Sequence, residues 1–339
     1  MHSDETLLAE ARRVLTICAV CDYCSGFCEV FRAIGRRTDF LQGDINYLAH
    51  LCHDCGNCLD ACQYAPPHVF QIDPPQVLAE VRSQFWPPAQ AWLCLVFVPL
   101  TPLLTYLLVP TEILFGHHRG AGAFYAILPW SVLCLGAGFV LLGSLASLCL
   151  GVFRFWRDSG GGNPRGAILM AIRDILTLRN LEGGGISCEH GWVRRWAHQA
   201  LVAGVCFCFA STSVATIYHH SLAYLAPHPY QSVPVLLGSG GGVLMMIGCA
   251  GLWWEKLRRH RRKRISTAAE HLLLALLMTV SVSGFALLIW RDSKMMGVLL
   301  AFHFGTVLSL FLLICAGKLG HGAYRAAALL RAAMERRPR

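Results

Sequence analysis

Charged residues are scarce in this chain. They make up 14% of the 339 residues, whereas a soluble protein carries roughly a quarter, and apolar residues reach 55%. The net charge is +9, but the basic residues lie mostly at the ends of apolar stretches and are not interleaved with aromatic side chains. Composition therefore predicts a membrane protein and argues against a nucleic-acid partner.

Several common signatures are also missing. No G-x-G-x-x-G sequence opens a helix after a strand, so the chain lacks a flavin- or dinucleotide-binding fingerprint of its own. No Ser–His–Asp set or pair of carboxylates stands out as a catalytic centre. The N-terminus has no basic segment followed by a short apolar one, so we expect no cleaved signal peptide and a cytoplasmic N-terminal domain. Two-electron chemistry would then require a separate partner.

Two groups of cysteines share the spacing C-x2-C-x2-C-x3-C. In such a run three cysteines bind one [4Fe–4S] cluster and the fourth completes the other cluster. The spacing predicts one cluster on Cys18, Cys21, Cys24 and Cys62, and a second on Cys52, Cys55, Cys58 and Cys28. Two zinc sites or a set of disulfides are the alternatives. Zinc commonly uses two separated pairs of ligands, and disulfides are rare in a reducing cytoplasm.

Residues 1–90 form the predicted soluble domain. Apolar residues recur at helical spacing between Thr6 and Ile17, and Pro74 and Pro75 open a short helix that reaches Gln84. The domain resembles the α-helical ferredoxin module of respiratory iron–sulfur subunits. Because eight thiolates fill two clusters, the nearby histidines are expected on the surface or behind the ligands; they are His50, His53 and His68.

Six apolar stretches after residue 90 are long enough to cross a bilayer, which needs about 20 helical residues. They cover residues 91–114, 124–153, 198–220, 232–254, 268–290 and 296–318. Arginine and lysine concentrate in the connections 154–197 and 256–264, which places these connections and both termini in the cytoplasm. An amphipathic helix at about 164–181 is predicted to lie at the membrane interface, with a docking surface for a soluble partner as the alternative.

The predicted fold is thus all-α. An α-helical ferredoxin-like domain with two clusters, residues 1–90, precedes a six-helix transmembrane bundle, residues 91–325. A basic cytoplasmic tail, residues 326–339, follows the bundle. The expected location is the inner membrane of a bacterium, with several passes through the bilayer.

Four histidines lie in or at the ends of the predicted spans, where an ionisable side chain is energetically costly and usually has a function. His198 begins the third span and His219 ends it, whereas His303 lies inside the sixth span and His321 ends it. Because these spans are antiparallel, we predict haem b between His198 and His321 near the cytoplasmic face, and between His219 and His303 near the other face. Histidines in interfacial water are the alternative, and His271 could replace His198 or His321.

The chain resembles the tricarballylate utilisation protein B family, also called the citrate utilisation B type, over nearly its whole length. The resemblance is carried by the two cysteine runs and by four further segments. These are QYAPPH at 63–68, DILTLRNLEGGG at 174–185, CFASTSVATIYH at 208–219 and GKLGHGAYR at 317–325. The chain departs from the family pattern at Gln199 and just after Gly185.

The resemblance implies a membrane partner of a soluble FAD-dependent dehydrogenase. Such a protein takes electrons from reduced FAD and delivers them to the quinone pool through [4Fe–4S] clusters and haem b. The matching positions are the eight cysteines and His198, His219, His303 and His321. Whether the chain alone counts as an enzyme stays open. Two alternatives remain: a haem b subunit that oxidises quinol and supplies a reductase, and a redox-sensing membrane protein, which the lack of an output domain disfavours.

Overall fold

A computed structural model describes residues 2–85, 92, 94–178, 191–258, 268–316 and 319–336. This part of the chain is helical and contains no β-strand, which confirms the predicted all-α class. The helices are α1 (His2–Cys21), α2 (Glu29–Ile34), α3 (Gln42–Leu51), α4 (Asn57–Asp60), α5 (Pro74–Ser83), α6 (Phe97–Leu108), α7 (Thr111–Leu114), α8 (Trp130–Asp158), α9 (Ile168–Thr177), α10 (Gly191–Leu222), α11 (Val233–Arg258), α12 (Ala268–Trp290), α13 (Met296–Ala316) and α14 (His321–Glu335).

Helices α1 to α5 surround the core of the N-terminal domain. Val14, Leu15, Leu48 and Val81 are fully buried there, and burying one such side chain contributes about 1.5–3 kcal/mol. Helix α5 begins where the sequence predicts, because Asp73 caps it and two prolines occupy its first turn. These contacts fix the loops that carry the cysteines between helices.

The C-terminal helix α14 packs into this N-terminal domain, which the prediction of a separate tail at 326–339 did not anticipate. Ala328, Leu329 and Ala332 are buried in the same core as α1 and α3. Glu335 forms an ion pair of 2.6 Å with Arg37, whose side chain is largely buried. An apolar stripe and charged partners from α2 and α3 thus attach the helix, and residues 337–339 lie outside the described part.

Five of the described helices are long and apolar enough to cross a membrane: Trp130–Asp158, Trp192–Leu222, Val233–Leu257, His271–Trp290 and Met296–Cys315. They correspond to the second to sixth predicted spans. The first predicted span, 91–114, contains the shorter apolar helix α6 and the single turn α7. Pro110 separates these two helices, since the residue before a proline avoids the helical conformation and Val109 is extended. A sixth span therefore stays a prediction.

Glycines allow the bundle helices to approach closely. A Cβ atom added to Gly204 on α10 would lie 2.7 Å from the carbonyl oxygen of Gly241 on α11. Helix α13 packs against α6, α8 and α12, and Thr101 of α6 donates a hydrogen bond of 2.8 Å to the carbonyl oxygen of Ala301. Small residues thus set these helix contacts, as is usual within membranes.

Helix α9 is the amphipathic helix that the sequence predicts at about 164–181. It spans Ile168–Thr177, and the last part of the predicted range, 179–181, lies outside the described residues. Leu169 and Leu176 are 80% and 70% exposed, whereas Ala171 and Asp174 are buried against α14. Asp174 accepts a short charged hydrogen bond from Arg336. The helix therefore presents an unpaired apolar face, as a helix at a membrane interface does.

Candidate iron–sulfur and haem sites

The first predicted cysteine set borders one cavity in the N-terminal domain. Cys18 and Cys21 come from the end of α1, Cys24 from the next loop, and Cys62 from the loop after α4. The cavity measures about 240 Å³, and Cys58 of the second set reaches its edge. The fold therefore gathers four cysteines from two distant parts of the sequence, as the two-cluster pattern predicts.

The second predicted set gathers around the loop between α3 and α4. Burial raises the pKa of Cys28 to about 12, and the neighbouring thiols of Cys52 and Cys55 raise it further. The loop turns back on itself because Asp54 and Gly56 adopt left-handed conformations, with φ of 57° and 82°. The backbone N–H of Asp54 donates to Cys52 Sγ at 3.4 Å, a contact that stabilises negative charge on sulfur.

The donor atoms suit clusters better than single ions. Among the described residues, no three His, Cys, Asp or Glu side chains are placed to hold one metal ion. A [4Fe–4S] cluster binds each thiolate to a different iron, so it requires cysteines around a shared cavity. Burial raises the pKa of Cys18 to about 12, helped by Cys62, so these thiols need the positive charge of bound iron to ionise. The residues present fit a cluster.

The two cysteine sets face opposite surroundings. Cys21 is exposed, and its neighbours Val20 and Tyr23 are 83% and 66% exposed. The loop of the second set instead meets residues of the bundle and of α14. Arg194 of α10 donates to the carbonyl oxygen of His53 at 3.0 Å. One set therefore lies at the outer surface and the other at the junction with the bundle.

His53 is the centre of this junction. Arg325 donates to His53 Nε2 at 2.6 Å, and because arginine has no acceptor, Nε2 of His53 must be unprotonated. Burial lowers the pKa of His53 well below its usual value, and Arg325 and Arg194 lower it further. Arg82 donates to the carbonyl oxygen of Cys52 at 3.0 Å. Three arginines thus contact the loop of the second set, and Arg194 is the one that comes from the bundle.

His50 lies in an aromatic box beside the same junction. The sequence predicts His50 on the surface or behind the cysteine ligands. The surface prediction is wrong, because the His50 side chain is 0% exposed. Its ring stacks on Tyr324 at 4.9 Å and lies 5.8 Å from the ring of His321. Burial lowers the pKa of His50 to about 3, with help from Arg82 and Arg325, so the ring is neutral at physiological pH.

The structure places three of the four predicted haem ligands in long apolar helices. His198 lies inside α10, which begins earlier than predicted, at Gly191. His219, near the other end of α10, packs against Trp130 at a ring distance of 4.4 Å. Nδ1 of His198 and Nδ1 of His219 are buried, and neither has a hydrogen-bond partner among the described residues.

His303 and His321 differ in their settings. His303 lies within α13, and its Nδ1 is 2.9 Å from Ser283 Oγ. Because Ser283 Oγ donates to the carbonyl oxygen of Val280, it can accept from Nδ1–H of His303, and this tautomer orients the ring and leaves Nε2 for a ligand. His321 does not end the sixth span as predicted, because α13 ends at Ala316 and His321 begins α14. The sequence between the two helices contains Gly317 and Gly320, and glycine is typical of a helix end. Both proposed histidine pairs stay predictions.

His271, the alternative ligand, has a different partner. Trp253 Nε1 donates to His271 Nδ1 at 2.9 Å. Since the indole N–H can only donate, Nδ1 of the neutral imidazole accepts and the proton lies on Nε2. That proton occupies the nitrogen that would bind iron. His271 is therefore a weaker ligand candidate than His303.

The chain joins a helical domain with two cysteine sets to five apolar helices long enough to cross a membrane. This combination defines the class of membrane-associated iron–sulfur proteins. Within that class, the chain belongs to the citrate utilization protein B family. The model of the citrate utilization protein B family matches residues 87–339, and that of its Fer4-like domain matches residues 11–86. Citrate utilization protein B of Escherichia coli is 42% identical over 352 residues, covering 97% of this chain and 93% of that protein. No solved structure matches the chain. The Fer4-like domain indicates iron–sulfur clusters and a role in electron transfer.

Proposed function

We propose that this chain takes electrons from the reduced FAD of a partner dehydrogenase and delivers them to quinone in the membrane. The observation that carries the proposal is the arrangement of the two cysteine sets. Cys21 lies at the exposed surface, whereas His53, in the loop of the second set, contacts Arg194 of the bundle. A relay between a soluble donor and a membrane acceptor requires this order of sites.

The chain supplies the ligands for two kinds of one-electron group. The two cysteine sets would hold [4Fe–4S] clusters, and His198 with His321 and His219 with His303 would hold haem b. When bound, these groups supply one-electron redox chemistry, which splits the electron pair of a reduced flavin. The surrounding residues bind, orient and bury them: Ser283 orients His303, and Arg82 holds the loop at Cys52.

The outer face of the N-terminal domain suits a soluble partner. Val69 is 89% exposed, and Phe70 beside it is 46% exposed. The ring of Phe70 lies 5.6 Å from that of Tyr64, which lines the cavity of the first cysteine set. Tyr23, which is 66% exposed, lines the same cavity, so exposed aromatic side chains lie beside the first set. A flavoprotein docked there would bring its FAD close to the first set.

The name of the related protein bears on the partner's substrate. That relative is named for citrate utilization, so we propose a dehydrogenase that acts on a citrate-like tricarboxylic acid. The basic connections of the bundle support a cytoplasmic N-terminal domain on the inner membrane of a bacterium. The partner would then dock from the cytoplasm.

Electron delivery from flavin to quinone tests the proposal. The full chain is reconstituted in lipid vesicles, reduced FAD is added outside, and reduction of a quinone in the bilayer is followed by absorbance. Protein-free vesicles give the background. We expect faster reduction with the wild-type chain, loss of the gain in Cys21→Ser, and no loss in Cys206→Ser, which alters an exposed cysteine in the middle of α10. Equal rates with and without the protein would contradict the proposal. Rapid reduction of the protein's own redox groups by added quinol alone would favour electron flow from quinol to a partner reductase.

A further inference from the structure

Two helices present a histidine and an arginine one turn apart at the junction. Arg194 precedes His198 by four residues on α10, and Arg325 follows His321 by four residues on α14. Residues four apart share a helix face. Each histidine of the predicted cytoplasmic pair therefore has an arginine on its own face.

The two arginines converge on one residue. Arg194 donates to the carbonyl oxygen of His53, and Arg325 donates to its Nε2. Both arginines also lie close enough to His198 to interact with it electrostatically, and His321 lies within the same range of His53. Groups from distant parts of the chain thus form one cluster on the bundle side of the second cysteine set.

The positive charge of this cluster is only partly balanced within the described residues. The Arg194 side chain is 19% exposed, and its Nη1 is buried with no hydrogen-bond partner there. Its Nε forms an ion pair with Glu255 at 3.8 Å, which is longer than a hydrogen bond. No described carboxylate forms an ion pair with Arg325. Burial lowers the pKa of Arg325 to about 10, although the thiols of Cys52 and Cys28 oppose the shift. A further anion beside these two arginines would stabilise them.

We propose that Arg194 and Arg325 bind the propionate carboxylates of the haem held by His198 and His321. This inference rests on the proposed haem-binding function. Haem b carries two carboxylates on one edge, and the guanidinium group is the side chain best suited to bind a carboxylate through paired hydrogen bonds. The carboxylate edge would face His53 and the loop of the second cysteine set. Each of the two helices, α10 and α14, would then supply one histidine to the iron and one arginine to a carboxylate.

Haem and its dimethyl ester distinguish this role from simple haem ligation. The ester keeps the iron and the ring but has no carboxylate charge. The full chain, produced without haem and purified in detergent, is titrated with each compound, and binding is read from the absorbance of the ligated iron. We expect wild-type protein to bind haem at least about tenfold more tightly than the ester, since hydrogen bonds to charged groups are the stronger kind.

Variants complete the test. Arg194→Gln should weaken haem binding but leave ester binding nearly unchanged, so the preference shrinks. Arg157→Gln is the control, because it removes the same charge from a side chain that is 69% exposed. If Arg194→Gln loses its iron–sulfur clusters, Arg194→Lys replaces it and should retain only part of the preference.

The outcomes separate the two claims. Equal binding of haem and ester by the wild-type chain would overturn the role of the arginines while haem binding stands. An unchanged preference in Arg194→Gln would overturn it as well. If neither compound binds, the proposed haem site fails together with this inference.

Discussion

Replacing Leu329 by alanine should destabilise the N-terminal domain, although Leu329 lies near the C-terminus. Its side chain is 3% exposed in α14 and packs in the core formed by α1 to α5. Truncating a buried leucine lowers the free energy of unfolding by about 2–5 kcal/mol. Alanine is at least as good a helix former, so the loss reflects packing alone. With an m-value of about 2 kcal/mol per molar urea, the unfolding midpoint should fall by at least about 1 M.

Cluster absorbance during a urea titration measures this effect, because bound clusters are lost when the domain unfolds. Leu41→Ala provides the matched control: it is the same truncation in the same domain, but Leu41 is 64% exposed at the start of α3. The control should shift the midpoint by no more than a surface substitution does, within about 0.5 kcal/mol. Equal shifts in the two variants would show that α14 does not belong to the core.

Two further substitutions probe the contacts between helices. Gly43→Ala should destabilise the contact between α3 and α8 by about 1–3 kcal/mol, because its new Cβ would meet a backbone carbonyl at the end of α8. Gly143→Ala in the middle of α8 has nothing within 4 Å and should be neutral in the same urea titration. Ser283→Ala should weaken haem binding at His303 by about 10- to 100-fold through loss of the orienting hydrogen bond, as measured by haem titration. Ser281→Ala, which loses only a hydrogen bond to its own helix, should leave that binding unchanged.

Local spacing was sufficient to predict the helical class, an amphipathic helix near 164–181 and five long apolar helices among the six predicted spans. The cysteine sets could be inferred because a repeated spacing reflects the shape of the cluster that it binds. The structure places Cys62 beside Cys18, Cys21 and Cys24 around one cavity, which agrees with that inference. The helices depend on residues that are close in sequence. The cysteine sets depend on the rule that the fourth cysteine of each run binds the cluster of the other run.

The junction could not be predicted in this way because it depends on distant contacts. Arg325 and His53 are separated by 272 residues, and no periodicity of either segment indicates that they meet. The packing of α14 did leave a signal: Tyr324, Ala328 and Leu329 recur at helical spacing among basic residues. The basic residues suggested a cytoplasmic tail, but Arg331 pairs with Asp44 of α3 and Arg336 pairs with Glu29 of α2.

The most direct test of the account is one anaerobic sample of the purified full chain, assayed for iron and acid-labile sulfide and scanned as a reduced-minus-oxidised optical spectrum. The account predicts about eight cluster irons with matching sulfide and the sharp α-band of b-type haem. Clusters without a haem band would contradict the histidine assignments and leave the bundle without its predicted groups. Zinc in place of iron and sulfide would contradict the electron-transfer function itself.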